Sequence, residues 1–140
     1  MALTRRLLIA GGIFNFVMGS LFLHGALLEF FFRGILWLEE TVFRHPTLLP
    51  FPQNPVHLLL IHGFGAAALI LGAMLVYSAK DPLRYLPFIF IDGLGRLLYG
   101  SLMLIFVLRY SLMKSILVFA VIELSFAIAY LIISWRLSER

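Results

Sequence analysis

The stretch Ile116–Trp135, ILVFAVIELSFAIAYLIISW, runs for 20 residues with a single charged side chain, Glu123. A hydrocarbon core about 30 Å thick takes roughly 20 helical residues to cross, so this segment reads as one complete transmembrane helix. It lacks the strict alternation of a barrel strand. Three further stretches read the same way: Leu7–Phe31, Val56–Tyr77 and Leu86–Leu108. The expectation is an all-α integral membrane protein, an antiparallel bundle of four transmembrane helices forming one domain over residues 1–140.

Composition supports the bilayer as solvent. Hydrophobic residues make up 62% of the 140 and charged residues 13%, with a mean hydropathy of +1.02. Soluble domains are nearer 45–50% apolar and about 25% charged. The formal charge of +4 comes from Lys and Arg placed mostly at the ends of apolar stretches, where they meet head groups. No basic run is interleaved with aromatics, so nucleic acid is not an expected partner. Cysteine is absent, which excludes disulfides, thiolate metal sites and a Cys nucleophile. Arg5 and Arg6 precede the first apolar run as in a signal peptide. That run is too long and lacks a small-x-small cleavage site, so it is expected to be a retained span.

The connections Ser78–Tyr85 and Arg109–Ser115 are short and make neighbouring spans antiparallel. The first connection, Phe32–Pro55, is long. Its opening, Arg33 to Glu40, mixes apolar and charged residues as an interfacial helix does. Its end, from His45 to Pro55, holds four prolines in eleven residues and predicts an extended cap. Both a functional loop and a simple apolar lid fit it. Arg5, Arg6, Lys80, Arg84, Arg136 and Arg140 fall on one side of the membrane, against Arg33, Arg44, Arg109 and Lys114 on the other. The excess of basic residues predicts cytoplasmic termini and an extracytoplasmic first loop.

Ionisable groups inside spans are expensive and each needs a partner. At 1.5 Å rise per residue, Asn15 lies ~13 Å, Arg96 ~16 Å and Glu123 ~18 Å from the cytoplasmic side, so the three share a central layer. Asp92 is one turn shallower than Arg96 on the same helical face. Small residues accompany these groups: Gly11 and Gly19 with Asn15, Gly65 and Gly72 with His62, Ala120 and Ala127 with Glu123. Such stripes let membrane helices approach closely. The expected network pairs Arg96 with Asp92 and Glu123, with Asn15 and Tyr99 as hydrogen-bond partners. It reads either as a proton, ion or ligand site or as a clip fixing helix register.

His24 and His62 share a depth, which raises bis-histidine haem ligation. His24, however, stands about 180° around the helix from Asn15 and points outward. It is therefore placed with Arg33 and Trp37 on a candidate docking surface, while His62 is expected to meet Glu29 in an outer-side polar site. No HExxH or related zinc spacing occurs, no GxSxG or P-loop is present, and no catalytic residue or metal ligand is assigned. No cofactor is predicted, with haem and quinone the groups to consider.

The chain resembles the DoxX-like superfamily of small four-span bacterial membrane proteins, including its BphX-type branch. The resemblance rests on Gly12-Ile13-Phe14-Asn15 with Gly19, on Leu71-Gly72 followed by Lys80-Asp81-Pro82, on Gly95-Arg96-Leu97-Leu98, and on Glu123-Leu124-Ser125-Phe126-Ala127. Relatives often carry Arg where this chain has His62-Gly63, and their first loop is usually shorter. The resemblance implies a four-span fold in a bacterial inner membrane and no general activity. Three function classes follow: an accessory or scaffolding subunit docked on a partner or in a homo-oligomer, a binder or carrier of a quinone, lipid, pigment or haem, and a proton-coupled transporter or enzyme. Small size, absent catalytic motifs and the outward His24 favour the first.

Overall fold

The computed structural model describes residues 1–44, 51–110 and 113–139. Five helices follow in order: α1 (Ala2–Leu23), α2 (Gly25–Thr41), α3 (Pro55–Ser78), α4 (Leu86–Tyr110) and α5 (Ile116–Ser138). No strand occurs among the described residues. The helices α1, α3, α4 and α5 are long and apolar enough to cross a membrane. Much of their apolar surface faces outward, with Leu59, Leu60, Ile70, Leu98 and Leu108 each more than 60% exposed. Water would not tolerate so much contiguous apolar surface, whereas acyl chains solvate it. The protein is a multi-pass, four-span helical membrane protein.

Residue contacts divide the chain into two units, Ile9–Tyr77 and Met1–Leu8 with Ser78–Arg140. In the first, α1 and α3 run antiparallel and meet through two reciprocal glycine pairs. A methyl group on Gly12 would lie 2.9 Å from the Gly72 carbonyl oxygen, and one on Gly72 would lie 2.9 Å from that of Gly12. Gly19 and Gly65 repeat the arrangement at 2.7 and 3.0 Å. Seven residues separate the pairs along each helix, so both fall on one stripe. Without a Cβ at these points the backbones approach closely enough for dispersion and Cα–H···O contacts to hold them.

In the second unit α4 packs antiparallel on α5. Gly93 faces Tyr130 and Leu131, and Gly100 faces Leu124 and Ala120, again seven residues apart. Ala120, Ala127 and Ser134 form the buried, equally spaced stripe on α5. The start of α1 joins this unit through Arg5, which donates to the Lys80 carbonyl at 3.3 Å, and Tyr130, whose hydroxyl donates to the Leu7 carbonyl at 3.3 Å.

The expected first span, Leu7–Phe31, is corrected. The helix stops at Leu23, His24 adopts an extended backbone (φ −114°, ψ 123°), and α2 restarts at Gly25. In one straight helix Phe22 and Phe31 would stand on opposite faces about 13.5 Å apart along the axis. Their ring centroids are 5.1 Å apart, so the chain bends here. Phe22 also meets Phe64 of α3 at 5.6 Å, and Phe32 meets Phe51 at 5.8 Å, which holds α2 in place. Each such ring pair contributes about 0.5–1.5 kcal/mol beyond burial. The helical reading of Arg33–Glu40 corresponds to the second half of α2. The proline-rich cap expected from His45 lies outside the described residues over 45–50, as does Arg140; Phe51–Asn54 lacks regular structure before α3 begins at Pro55.

Candidate functional site

The α4–α5 seam carries a charged cluster. Asp92 and Arg96 stand one turn apart on α4, and Glu123 reaches the same point from α5. The Arg96 guanidinium donates from Nε to Asp92 Oδ2 at 2.8 Å and from Nη1 to Glu123 Oε2 at 2.7 Å. Its faces lie over Phe126 at 5.2 Å and Tyr130 at 5.6 Å from the ring centroids. The Arg96, Asp92 and Glu123 side chains are 6%, 4% and 12% exposed.

Geometry explains why arginine occupies this position. Its planar fork points donors in two fixed directions, so one side chain satisfies carboxylates on two helices. The aromatic faces shield the cation while attracting it. Removing one partner of such a buried pair leaves an uncompensated charge, at about 3–5 kcal/mol. Chemically the cluster offers one fixed cation held between two carboxylates. Among the described residues no group of three His, Asp or Glu is placed to hold a metal ion.

Of the expected network, Asp92, Arg96 and Glu123 are joined by these hydrogen bonds. Tyr99, on α4 three residues beyond Arg96, is 38% exposed and lies within range of the Glu123 charge. Asn15 belongs to the Ile9–Tyr77 unit, where it is buried against α3 beside Gly72. Phe126 and Tyr130 were not assigned to the cluster from the sequence. Their spacing of three and seven residues from Glu123 on one helical face was the available signal.

At the other end of the Ile9–Tyr77 unit, the site expected from Glu29 and His62 takes a different form. Glu29 accepts from Arg33 Nη2 at 2.6 Å, an exposed pair one turn apart on α2. His62 Nδ1 donates to the Phe22 carbonyl at 2.5 Å. Phe22 lies in the last turn of α1, where carbonyls have lost their intrahelical donors. His62 therefore caps the helix at the break.

His24, at the break itself, is exposed and makes no side-chain cap to α2. Arg33 and Trp37 are exposed on α2, Trp37 at 62%. Glu39, grouped with these residues by its place in the sequence, is fully buried. It lies on the stripe of Leu28 and Ile35, one turn beyond Ile35.

Compared with known protein families, curated proteins and solved structures, the chain matches none of them.

Proposed function

We propose that this chain is an accessory or scaffolding subunit of a larger membrane complex, and that the outer face of α2 with His24 is where the partner protein docks. One observation carries the reading: α2 buries Leu28, Ile35 and Glu39 and exposes Phe30 at 72% and Trp37 at 62% on the opposite side. Helices that lie in lipid head groups are rich in Lys and Arg on the polar face. In α2, Arg33 is the one basic residue, and it is paired with Glu29; Glu40 adds a further exposed acid. Two aromatic rings framed by acids suit a protein interface better than an anionic membrane surface.

The setting is a DoxX-like protein of a bacterial inner membrane with both termini in the cytoplasm. Support comes from the motif resemblance and the distribution of basic residues. The test is native mass spectrometry after gentle detergent extraction, comparing the parent with His24→Leu/Trp37→Ala. The expected result is a stoichiometric partner bound to the parent and released from the double variant, whose helical signal and thermal unfolding are unchanged. A second copy bound through the same face would make the assembly a homo-oligomer. A lone monomer in both forms would overturn the docking reading.

A further inference from the structure

We infer that the groove between the first turn of α4 and the last turns of α5 is a binding site for an anionic membrane lipid. Its volume is about 330 Å³, and Leu86, Pro87 and Phe90 line one wall, with Ser134, Trp135 and Ser138 on the other. That size is at the lower end of small-ligand pockets and suits one chain-shaped occupant.

Three independent features select the ligand. Ser134 is 5% exposed, and its hydroxyl has no hydrogen-bond partner among the described residues. Elsewhere on α5, Ser125 donates to the Val121 carbonyl and Ser138 to that of Trp135, both at 2.7 Å. An unpaired buried hydroxyl is unfavourable until an acceptor reaches it, so the groove calls for an oxygen acceptor beside its apolar wall.

The N-terminus of α4 opens on the same groove. Pro87 has no N–H, and those of Leu86 and Ile89 bond the Leu83 and Tyr85 carbonyls, so what this end offers a negatively charged neighbour is the positive end of the helix dipole. Charge at this end of the unit agrees: Arg5, Arg6, Lys80, Arg84 and Arg136 stand against Asp81 and Glu139. Asp81 caps the Arg84 N–H at 3.3 Å, and Glu139 accepts from the Trp135 indole at 2.7 Å, so both acids are engaged. A phospholipid meets all three demands. Its acyl chain lies along Leu86, Phe90 and Trp135, an ester or phosphate oxygen accepts from Ser134, and its net negative head group faces the basic rim. Trp135 at the rim matches the aromatic belt of a head-group boundary.

The chain has two tryptophans, so Trp37→Phe leaves Trp135 as a single reporter at the rim of the groove. The full chain carrying that change is placed in phosphatidylcholine vesicles containing increasing fractions of brominated-chain lipid, either phosphatidylglycerol or phosphatidylcholine. The expected result is half-quenching of Trp135 at a several-fold lower fraction of brominated phosphatidylglycerol than of brominated phosphatidylcholine. Ser134→Ala keeps the shape of the site and raises that fraction about fivefold, the effect of one hydrogen bond. Ser134→Leu fills the groove and makes the two lipids equal. Should Ser134→Leu fail to fold, Ser134→Ala decides. Equal quenching by both lipids in the parent, or curves unchanged by the Ser134 substitutions, overturns the site. Protection of Trp135 from both lipids also overturns it, and would mean that a protein surface covers the groove.

Discussion

Arg96 concentrates most of the polar chemistry of the α4–α5 seam in one side chain. It is 6% exposed, donates to the carboxylates of Asp92 and Glu123 and lies against two aromatic rings. Arg96→Leu strands both acids, and the expected loss is about 3–5 kcal/mol of unfolding free energy, read by reversible denaturant titration in mixed micelles. Arg96→Lys should fall between, because one ammonium group cannot span two acceptors on separate helices. The informative companion is the apolar triple variant Asp92→Leu/Arg96→Met/Glu123→Leu. Buried ionic networks replaced whole by packed apolar groups often keep their stability. A triple variant as stable as the parent would show that the charges serve something other than stability. A single Arg96→Leu variant losing under about 1 kcal/mol would contradict a buried, paired arginine. This cluster was legible in the sequence because charges inside a span are scarce and their depths follow from helical rise. The role of His62 was not, because its acceptor is the Phe22 carbonyl, which is free of helical bonding only where α1 ends.

The elements divide their glycines into two kinds with opposite expected behaviour. A methyl group on Gly12 or Gly19 would press within 2.9 Å of backbone oxygen on α3, and neither backbone can yield without separating the helices. Gly12→Ala and Gly19→Ala should therefore each destabilise by about 1–3 kcal/mol, as overpacking does. Gly63 and Gly95 sit inside helices with no atom within 4 Å of the added carbon. There Gly→Ala should stabilise by about 0.5–1 kcal/mol, since alanine loses less conformational freedom on folding. Thermal unfolding of the four single variants in one detergent reads both signs. The converse pattern would place the α1–α3 contact on another face. Spans at Val56–Tyr77, Leu86–Leu108 and Ile116–Trp135 lie within helices found at Pro55–Ser78, Leu86–Tyr110 and Ile116–Ser138. Hydropathy defines such helices well, because nothing else in the sequence competes with it there. Between Leu7 and Phe31 it fails for a physical reason. Apolarity continues through His24 and Gly25, and the bend is stabilised by Phe22–Phe31 ring contact and the His62 cap, neither of which leaves a mark on composition.

At the scale of the whole molecule, the arrangement in the membrane follows from charge. Arg5 bonds the Lys80 carbonyl, and the first turn of α4 shares a groove with the end of α5, so three basic segments gather at one end of their unit. Lys and Arg near span ends resist translocation, while Asp and Glu count for little. With six basic residues in the sequence segments that share a side with the termini and four in the connections opposite, the termini are expected in the cytoplasm and the segment after α2 outside. A reporter active only in the cytoplasm should work when fused to the C-terminus and stay silent when inserted after Arg44. The margin itself makes a sharper test. Arg5→Ala/Arg6→Ala removes two of the six and leaves four against four, and neither residue takes part in the hydrogen bonds that join Arg96 to Asp92 and Glu123. If charge difference sets the topology, the double variant should insert both ways, and both reporter positions should give intermediate signal. Adding two lysines to the Ser78–Tyr85 turn of that variant should restore a single orientation. Retention of the parent pattern by the double variant, with no rise in the inverted population, would instead assign orientation to the long, acid-bearing first connection.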